Sequence, residues 1–385
     1  MKFAHIADCH LGSWRQLELR QLNLESFKKV INICISEKVD FILISGDLFD
    51  SAYPPVEILE NTFEQLRRLK DNNIPCYIIA GSHDYSASGK TFLSVLEKAG
   101  FCENIYKSEE IKGNVYLLPT FHKNIALYGY PGKKSGLEIS ELKNIKLQES
   151  PGFFRIFALH TCISDAIKTL PIGSISEQEL PEADYYALGH LHINYEKGKF
   201  IYAGPTFPNN FQELEELKHG RFYIIDTDSL NIKKQDIKLK EVEVIEKEIS
   251  DTLTATDEIL QDLGKRNLKA KIVLLRLKGK IKKGKTGNIN FQAVENLIKD
   301  QQGYILLKST SQLIAEESEF NLEIEDMSRL EEEIIKKYTD KNKSKFNNNI
   351  FPLINALSAE KQEDETSETF KSRLFSELNK TLGVN

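Results

Sequence analysis

Cysteine is scarce and unpatterned in this sequence: five in 385 residues, with no Cys-x-x-Cys and no regular spacing. An odd count in a chain this long reads as free thiols in a reducing compartment rather than as a disulfide framework. No apolar run approaches the roughly 18 residues that a membrane span requires. The opening stretch MKFAHIADCH lacks the charged-then-apolar layout of a signal peptide. Together these absences predict a soluble cytoplasmic protein with no membrane partner. No internal repeat is visible. The net charge of −6 argues weakly against a nucleic-acid partner, but the average misleads because charge is segregated along the chain.

With 41% apolar residues the chain can bury one sizeable core and one or two smaller units. Up to about residue 235, short apolar runs alternate with stretches of helical spacing, as in KFAHIAD, then LNLESFKKVINICISEKV, then DFILISGD. Continuous apolar strands separated by helices imply an α/β fold whose sheet is covered on both faces. Residues 236–312 read as a smaller α+β unit. Ten Lys or Arg and no acidic residue fall between Leu263 and Gly287. Residues 313–344 read as a charged linker, and residues 345–385 as a tail of two short amphipathic helices.

The informative polar residues end the apolar runs: Asp8 and His10 in HIADCHLG, Asp47 in ISGDLFD, and Ser82, His83 and Asp84 in AGSHD. His160 follows in FALHT, then His190 and His192 in ALGHLH. The carboxyl ends of parallel strands converge on one rim, where ligands bind. Strand periodicity predicts Asp8 and His10 on one face with Cys9 turned away, and His190 with His192 in the same way. Imidazoles and carboxylates without thiolates suit manganese, iron or zinc.

The order D-x-H, GD, G-[N/S]-H-D, H, G-H-x-H resembles the calcineurin-like metallophosphoesterases. HIADCHLG, FILISGDLFD, AGSHD and YYALGHLH are similar to the SbcD and meiotic-recombination-eleven type of DNA double-strand-break repair nucleases. The resemblance covers residues 1–235 strongly and the rest in layout only. It implies a metallophosphoesterase fold of two packed sheets flanked by helices, a smaller α+β capping domain, and a C-terminal helical tail. It also implies two divalent metal ions, manganese foremost. Asp8, His10, Asp47 and His192 would hold one; Asp47, Ser82, His160 and His190 would hold the other. His83 would act as general acid, with Asp84 a candidate to orient it. Relatives usually carry Asn where this chain has Ser82, a neutral oxygen on a shorter side chain. Position 50 is His in one branch and Asp in another. Phosphomonoesterases of the superfamily usually place Arg after the second motif; GDLFDSAYPP has none, which favours a diester.

The implied function is a metal-dependent exo/endodeoxyribonuclease in double-strand-break repair, cytoplasmic or nucleoid-associated. The alternatives are a catalytically silent scaffold with the same fold and a small-molecule phosphodiesterase. The implied partners are DNA, a second copy of the chain, and an SMC-like ABC ATPase docking on residues 345–385. The helices carrying Leu59, Phe63 and Leu66, and Phe92, Val95 and Leu96, are the candidate dimer faces. In the tail, Phe370, Leu374, Leu378 and Leu382 form one stripe with Phe375 beside it, and Phe346, Ile350, Phe351, Ile354 and Leu357 form another.

GKIKKGKT at 279–286 matches a phosphate-loop pattern, yet such a loop should open its helix directly at Lys285 and Thr286. GNIN intervenes, so the helix is expected near Asn290. Lys278, Lys280, Lys282, Lys283 and Lys285 are therefore read as gripping DNA phosphates rather than a nucleotide. The lone Trp14 is expected to pack rather than to stack on a base.

Overall fold

The structure is a computed structural model. It describes residues 1–84, 91–111, 114–133, 138–167, 173–315, 335–336, 338–340, 344, 347–359, 361, 365 and 367–382. Most of the expected linker, together with Phe346, lies outside the described residues. The chain divides into two compact units, Met1–Ala315 and Glu316–Asn385.

The first unit is built on two six-stranded sheets. In one, the strands Lys2–Ile6, Phe41–Ser45, Cys76–Ile79 and Glu103–Asn104 run parallel. Gly220–Asp226 and then Asn231–Ile237 continue the sheet antiparallel on the other side of Lys2–Ile6. The second sheet is centred on Ile125–Tyr130, Phe154–His160, Tyr185–Gly189 and Phe200–Tyr202, all parallel. These strands are apolar without alternation because both faces are covered. Phe3, Phe41, Ile79, Ile125, Ile156, Ala187 and Tyr223 fill the layer between the sheets. The helices Leu17–Ser36, Val56–Asp71 and Phe92–Lys98 close the outer face of the first sheet through Phe27, Val30, Leu66 and Leu96. The parallel core strands end on the same rim.

The expected α+β unit is present. Its strands Val242–Glu248, Ile272–Ile281 and Ile305–Ala315 form a parallel sheet, and the last runs past the expected boundary at 312. Two helices, Ala255–Leu263 and Phe291–Asp300, cover one face through Ile259, Leu263, Val294 and Ile298. The helix after the basic loop starts at Phe291 with Asn290 as its N-cap, where the side chain accepts from the Ala293 amide. The opposite face packs on the two-sheet body: Ile272, Leu274 and Leu307 meet Trp14, Leu19, Leu22, Phe207 and Leu214.

Trp14 sits at this seam, 8% exposed, with its Nε1 donating to Pro208 O at 2.9 Å. It is a packing residue, as expected. In the second unit the helices Ile350–Leu357 and Ser367–Leu382 pack on each other, and Asn349 Nδ2 donates to Thr381 O at 2.8 Å. Leu374 and Leu378 are half-buried there, while Phe351, Leu357 and Phe375 are exposed. No helix of the described residues is long and apolar enough to cross a membrane.

Removing a buried indole from a joint leaves a cavity and an unpaired carbonyl. Trp14→Ala should therefore destabilise the chain by about 3–5 kcal/mol. Guanidinium denaturation followed by circular dichroism measures the loss, and an unchanged midpoint would place Trp14 outside the joint.

Candidate metal-centred active site

Each site residue follows a strand or a tight turn, and the local backbone is unusual. Asp8, His10, Asp47 and His190 all have positive φ, at 52°, 41°, 51° and 94°. Non-glycine residues seldom occupy this region, and it costs of order 1–3 kcal/mol at each position. The first strand has ended at Ile6 and the third core strand of the second sheet at Gly189. Strand alternation is therefore not what aims Asp8 with His10, or His190 with His192. Left-handed turns aim them, and His190 and His192 go to different neighbours: His190 lies against His160 and His192 against His10, with ring centroids 5.0 and 4.9 Å apart. Cys9 does turn away into the core.

Glycines make the room. A Cβ at Gly46 would lie 2.2 Å from His160 Nδ1, one at Gly189 3.0 Å from the same atom, and one at Gly132 2.5 Å from His160 Cδ2. His160 is thus held on three sides by backbone that only glycine allows.

The protons can be placed. His160 Nδ1 lies 3.0 Å from Ser45 O, so it carries the hydrogen and donates. That leaves Nε2 facing Asp47 Oδ2 at 3.1 Å. His192 Nδ1 donates to Glu213 Oε1 at 3.0 Å, and His10 Nδ1 lies 3.2 Å from Asp50 Oδ1. The Nε2 atoms of His10 and His192 then face each other at 3.2 Å. Two imidazole lone pairs at that distance repel unless a proton or a cation lies between them. Asp8 Oδ2 is buried with no hydrogen-bond partner, and His160 Nε2 is buried with no hydrogen bond in line. Ligand atoms of Asp8, His10 and His192 fall within 4.8 Å of one another, as do those of Asp8, Asp47 and His160. Nitrogen and oxygen donors aimed inward, with one carboxylate oxygen orphaned, fit divalent cations.

The electrostatics agree. Burial would raise the Asp47 carboxyl, but the charge and hydrogen bond of His160, with His10, hold it well below the usual carboxylate range. Burial would lower His160, but Asp47 and Asp8 lift it to about 9. His190, desolvated and beside His160, is pushed down to about 4. Two buried carboxylates facing imidazoles make this a strongly negative pocket suited to a cation.

Comparison with known proteins matches residues 1–194 to the calcineurin-like phosphoesterase family. The chain belongs to this family. Its curated relatives are named DNA double-strand break repair protein Mre11. That of Methanocaldococcus jannaschii is 31% identical over 63% of this chain and 68% of its own length. Those of Archaeoglobus fulgidus and Methanococcus maripaludis are 26% and 30% identical, over 70% and 68% of this chain and 64% and 74% of their own lengths. The phosphoesterase is thus of the Mre11 branch, and its chemistry is metal-dependent. A solved archaeal phosphodiesterase overlaps with a TM-score of 0.27 at 16% identity over 61% of this chain and 99% of that one, too little to bear on function.

Of the seven residues expected as ligands, Asp8, His10, Asp47, His160 and His192 fall in these close groups, and Ser82 and His190 lie beside them. Ser82 is half-buried, and its Oγ lies 3.5 Å from Asp47 Oδ2, the oxygen that His160 and His10 also face. His83 is exposed at the mouth, its ring 4.6 Å from that of His10. Asp84 is a correction. It does not orient His83: its carboxylate turns inward and accepts from the Leu48, Phe49 and Gly81 amides at 3.2, 3.0 and 3.1 Å. Burial and the Asp47 charge push it up to about 6 against those bonds. Its work is to hold the turn that carries Asp47. His83 Nδ1 donates instead to Asp50 O at 2.9 Å.

Sequence reasoning missed Glu213 and Gly132. Glu213 could have been suspected from NNFQE, a helix start in which Asn210 caps the Glu213 amide at 2.9 Å. Gly132 carries no signal of its own.

The basic loop is exposed at Lys280, Lys282, Lys283 and Lys285, while Lys278 is half-buried and pairs with Glu246. Of the ten basic residues, Arg266, Lys271, Arg276, Lys278 and Lys283 have acidic partners. The Lys282 amide donates to Ser250 O, and the Lys285 amide to Asn288 Oδ1. These amides are already in use, so the phosphate-loop pattern is not realised as a nucleotide cradle.

Gly132→Ala should leave the fold intact by circular dichroism yet weaken divalent-metal binding by about tenfold, because the new methyl would strike the His160 ring, 2.5 Å from its Cδ2. Wild-type binding in a calorimetric titration would show that His160 is not so confined.

Proposed function

We propose that this protein is a two-metal DNA nuclease of double-strand-break repair that works with an SMC-like ABC ATPase. The observation that carries it is the convergence of the Nε2 atoms of His10, His192 and His160 on the buried carboxylates of Asp8 and Asp47. Asp8, His10, Asp47 and His192 would hold one divalent ion, and Asp47, Ser82, His160 and His190 the other, with Asp47 shared. Such ions supply Lewis acidity toward phosphoryl oxygens and acidify water. Manganese suits the hard oxygen and imidazole donors, and the serine hydroxyl in place of an amide makes the second site the weaker one.

The chain's own contribution to bond cleavage is His83. Its Nδ1 is bound to the Asp50 carbonyl, so Nε2 is the atom that faces outward, 47% of the side chain being exposed. With both ring nitrogens protonated, Nε2 can give its proton to the leaving oxygen of a phosphodiester and leave the ring neutral with its hydrogen on Nδ1. The stretch after Asp47 brings no Arg to seize a terminal phosphate. The relatives' name, DNA double-strand break repair protein, points to DNA as the substrate class. A silent scaffold would have no use for converging donor groups, four of them held in strained backbone.

Residues 1–235 would then be the nuclease domain, 236–312 a cap that contacts DNA through the lysine loop, 313–344 a linker, and 345–385 the ATPase-binding tail. Exposed Phe351, Leu357 and Phe375 support the last assignment. Of the residues expected to face a second copy, Leu59, Leu66 and Leu96 are buried in the core. Half-buried Phe63 and Phe92 and exposed Val95 remain for such a contact.

Two measurements test the reading. With manganese, the wild-type chain should cut linear duplex DNA. His83→Ala should lose that cleavage while binding the metal as before, and Ser82→Ala should cut only at raised manganese while Ser82→Asn cuts at low manganese. Hydrolysis of a small phosphodiester with DNA left whole would favour the small-substrate alternative.

Changing Lys280, Lys282, Lys283 and Lys285 to Glu should weaken DNA binding and flatten its salt dependence by about one unit of slope for each phosphate no longer neutralised. Metal binding should not change. Wild-type DNA affinity at low salt would remove the loop from the DNA site.

A further inference from the structure

The backbone that closes over His160 is fastened by two carboxylates outside the ligand set. It follows the strand Ile125–Tyr130 and carries Gly132. The Gly132 amide donates to Ala80 O at 3.0 Å, two residues before Ser82. A Cβ at Gly132 would lie 3.0 Å from His160 O, in addition to its clash with the ring. One stretch of backbone thus rests on His160 and on the strand end that leads to Ser82. The helix Glu138–Leu142 is tied to that stretch. Glu141 takes the Lys133 ammonium at 2.6 Å and the Tyr130 hydroxyl, and Leu142 is buried with Tyr128, Tyr130 and Leu159. Glu138, the first residue of the helix, is 4% exposed, and its carboxylate accepts from the Lys133 amide, one residue past Gly132. Burial pushes its carboxyl up, against its own amide, that of Lys133 and the charge of His160. Its Oε2 is buried with no hydrogen-bond partner. Its charge also reaches the Cys162 thiol, two residues beyond His160, which burial and then Glu138 push up to about 11.

We propose that Glu138 is a positioning residue of the second metal site, holding the Gly132 backbone against His160 from outside the ligand set. A buried carboxylate is costly unless its oxygens are used. Here one oxygen fixes the Lys133 peptide, and with it Gly132. Asp84 acts in the same manner for Asp47, with its oxygens on three backbone amides. His160 Nδ1 is already bound to Ser45 O, and Gly132 closes the Cδ2 side of the ring. With that side closed, Nε2 stays on Asp47 Oδ2. Ser82 depends on the same contact. Its short side chain comes to 3.5 Å from Asp47 only while its backbone stays close, and the Gly132 bond to Ala80 keeps it there.

The inference rests on the two-metal reading for which ion is affected, but not for His160 itself. Manganese is titrated into metal-free wild type, Glu138→Asp and Glu138→Gln, without DNA, following free ion by electron paramagnetic resonance. Glu138→Gln keeps the length and an acceptor oxygen but loses the charge. Glu138→Asp keeps the charge but is one methylene too short for the Lys133 amide. Glu138→Asp should bind the weaker ion about tenfold less tightly, the low end of the range found for outer partners of ligating histidines, while Glu138→Gln stays within about threefold of wild type. The tighter ion should be unaffected in both, and circular dichroism controls for the fold. Wild-type binding in Glu138→Asp, equal weakening in both variants, or equal weakening of both ions overturns the proposal. So does the reverse order, with Glu138→Gln the weaker binder, because charge rather than reach would then be at work.

His160 is followed separately by nuclear magnetic resonance of the metal-free chain with nitrogen-15-labelled histidine, its signal assigned by its loss in His160→Gln. The Nδ1 hydrogen bound to Ser45 O should exchange with water about tenfold faster in Glu138→Asp and at the wild-type rate in Glu138→Gln. Unchanged exchange in Glu138→Asp overturns the role at His160. If wild type binds a single manganese ion, the two-metal reading fails while the exchange rates still decide the role of Glu138.

Discussion

The site depends on one buried carboxylate. Asp47 Oδ2 has His160 Nε2 at 3.1 Å, His10 Nε2 at 3.5 Å and Ser82 Oγ at 3.5 Å, and Oδ1 accepts from the His83 amide at 2.8 Å. A carboxylate 2% exposed cannot stay ionised without compensation. Here the compensation comes from groups on separate segments of chain, so the position of Asp47 fixes the position of the rest. Gly81 and Gly46 follow from it. A Cβ on Gly81 would lie 2.1 Å from Asp47 Oδ1, and one on Gly46 would strike His160. Asp84 follows too, since its three amide bonds hold the turn on which Asp47 sits.

That demand explains why four site residues sit in left-handed backbone. Parallel strands bring their ends to one rim, but they leave side chains pointing above and below the sheet, not forward over its edge. A residue that must point forward has to leave the strand conformation. Asp8, His10, Asp47 and His190 do so soon after Ile6, Ser45 and Gly189. The two-sheet core, with Phe3, Phe41, Leu43, Ile79 and Ala187 fully buried, supplies the rigidity against which such strain can persist.

The candidate site residues were legible in the sequence because each ends an apolar run, and a strand that reads as buried announces where its rim lies. How they are aimed was not legible, since periodicity describes the strand and these residues come after it. The partner of His83 was misread for a related reason: Asp84 is adjacent in sequence, but a tight turn sends neighbouring side chains in opposite directions. Glu213 reaches His192 from a separate helix, and nothing local to ALGHLH foretells it. The charge of the basic unit was over-read. Strand Val242–Glu248 pairs in parallel with Ile272–Ile281, which sets Glu243 and Glu246 beside Lys271, Arg266 and Lys278. A run of like charge in sequence was thereby partly matched in space.

The helix Phe211–Leu217 links the two halves of the first unit. Residues two apart on a helix point about 200° from each other, since each residue turns about 100°. Glu213 therefore reaches His192 while Glu215 reaches Arg276 on the cap strand, at 3.0 Å to Nε and 2.5 Å to the guanidinium end. Phe211 lies under the same guanidinium at 5.0 Å, and Asn210 caps the start of the helix. Glu213 also accepts from the Asn209 amide at 2.9 Å, and Asn209 receives Ser13 Oγ from the loop after His10 at 3.3 Å. His192 and the cap are thus borne by the same two turns of helix. A rotation of the helix that kept one acidic contact would break the other, because the two side chains leave it on opposite faces. The orientation of His192 and the seat of the cap on the sheets are for that reason a single structural condition.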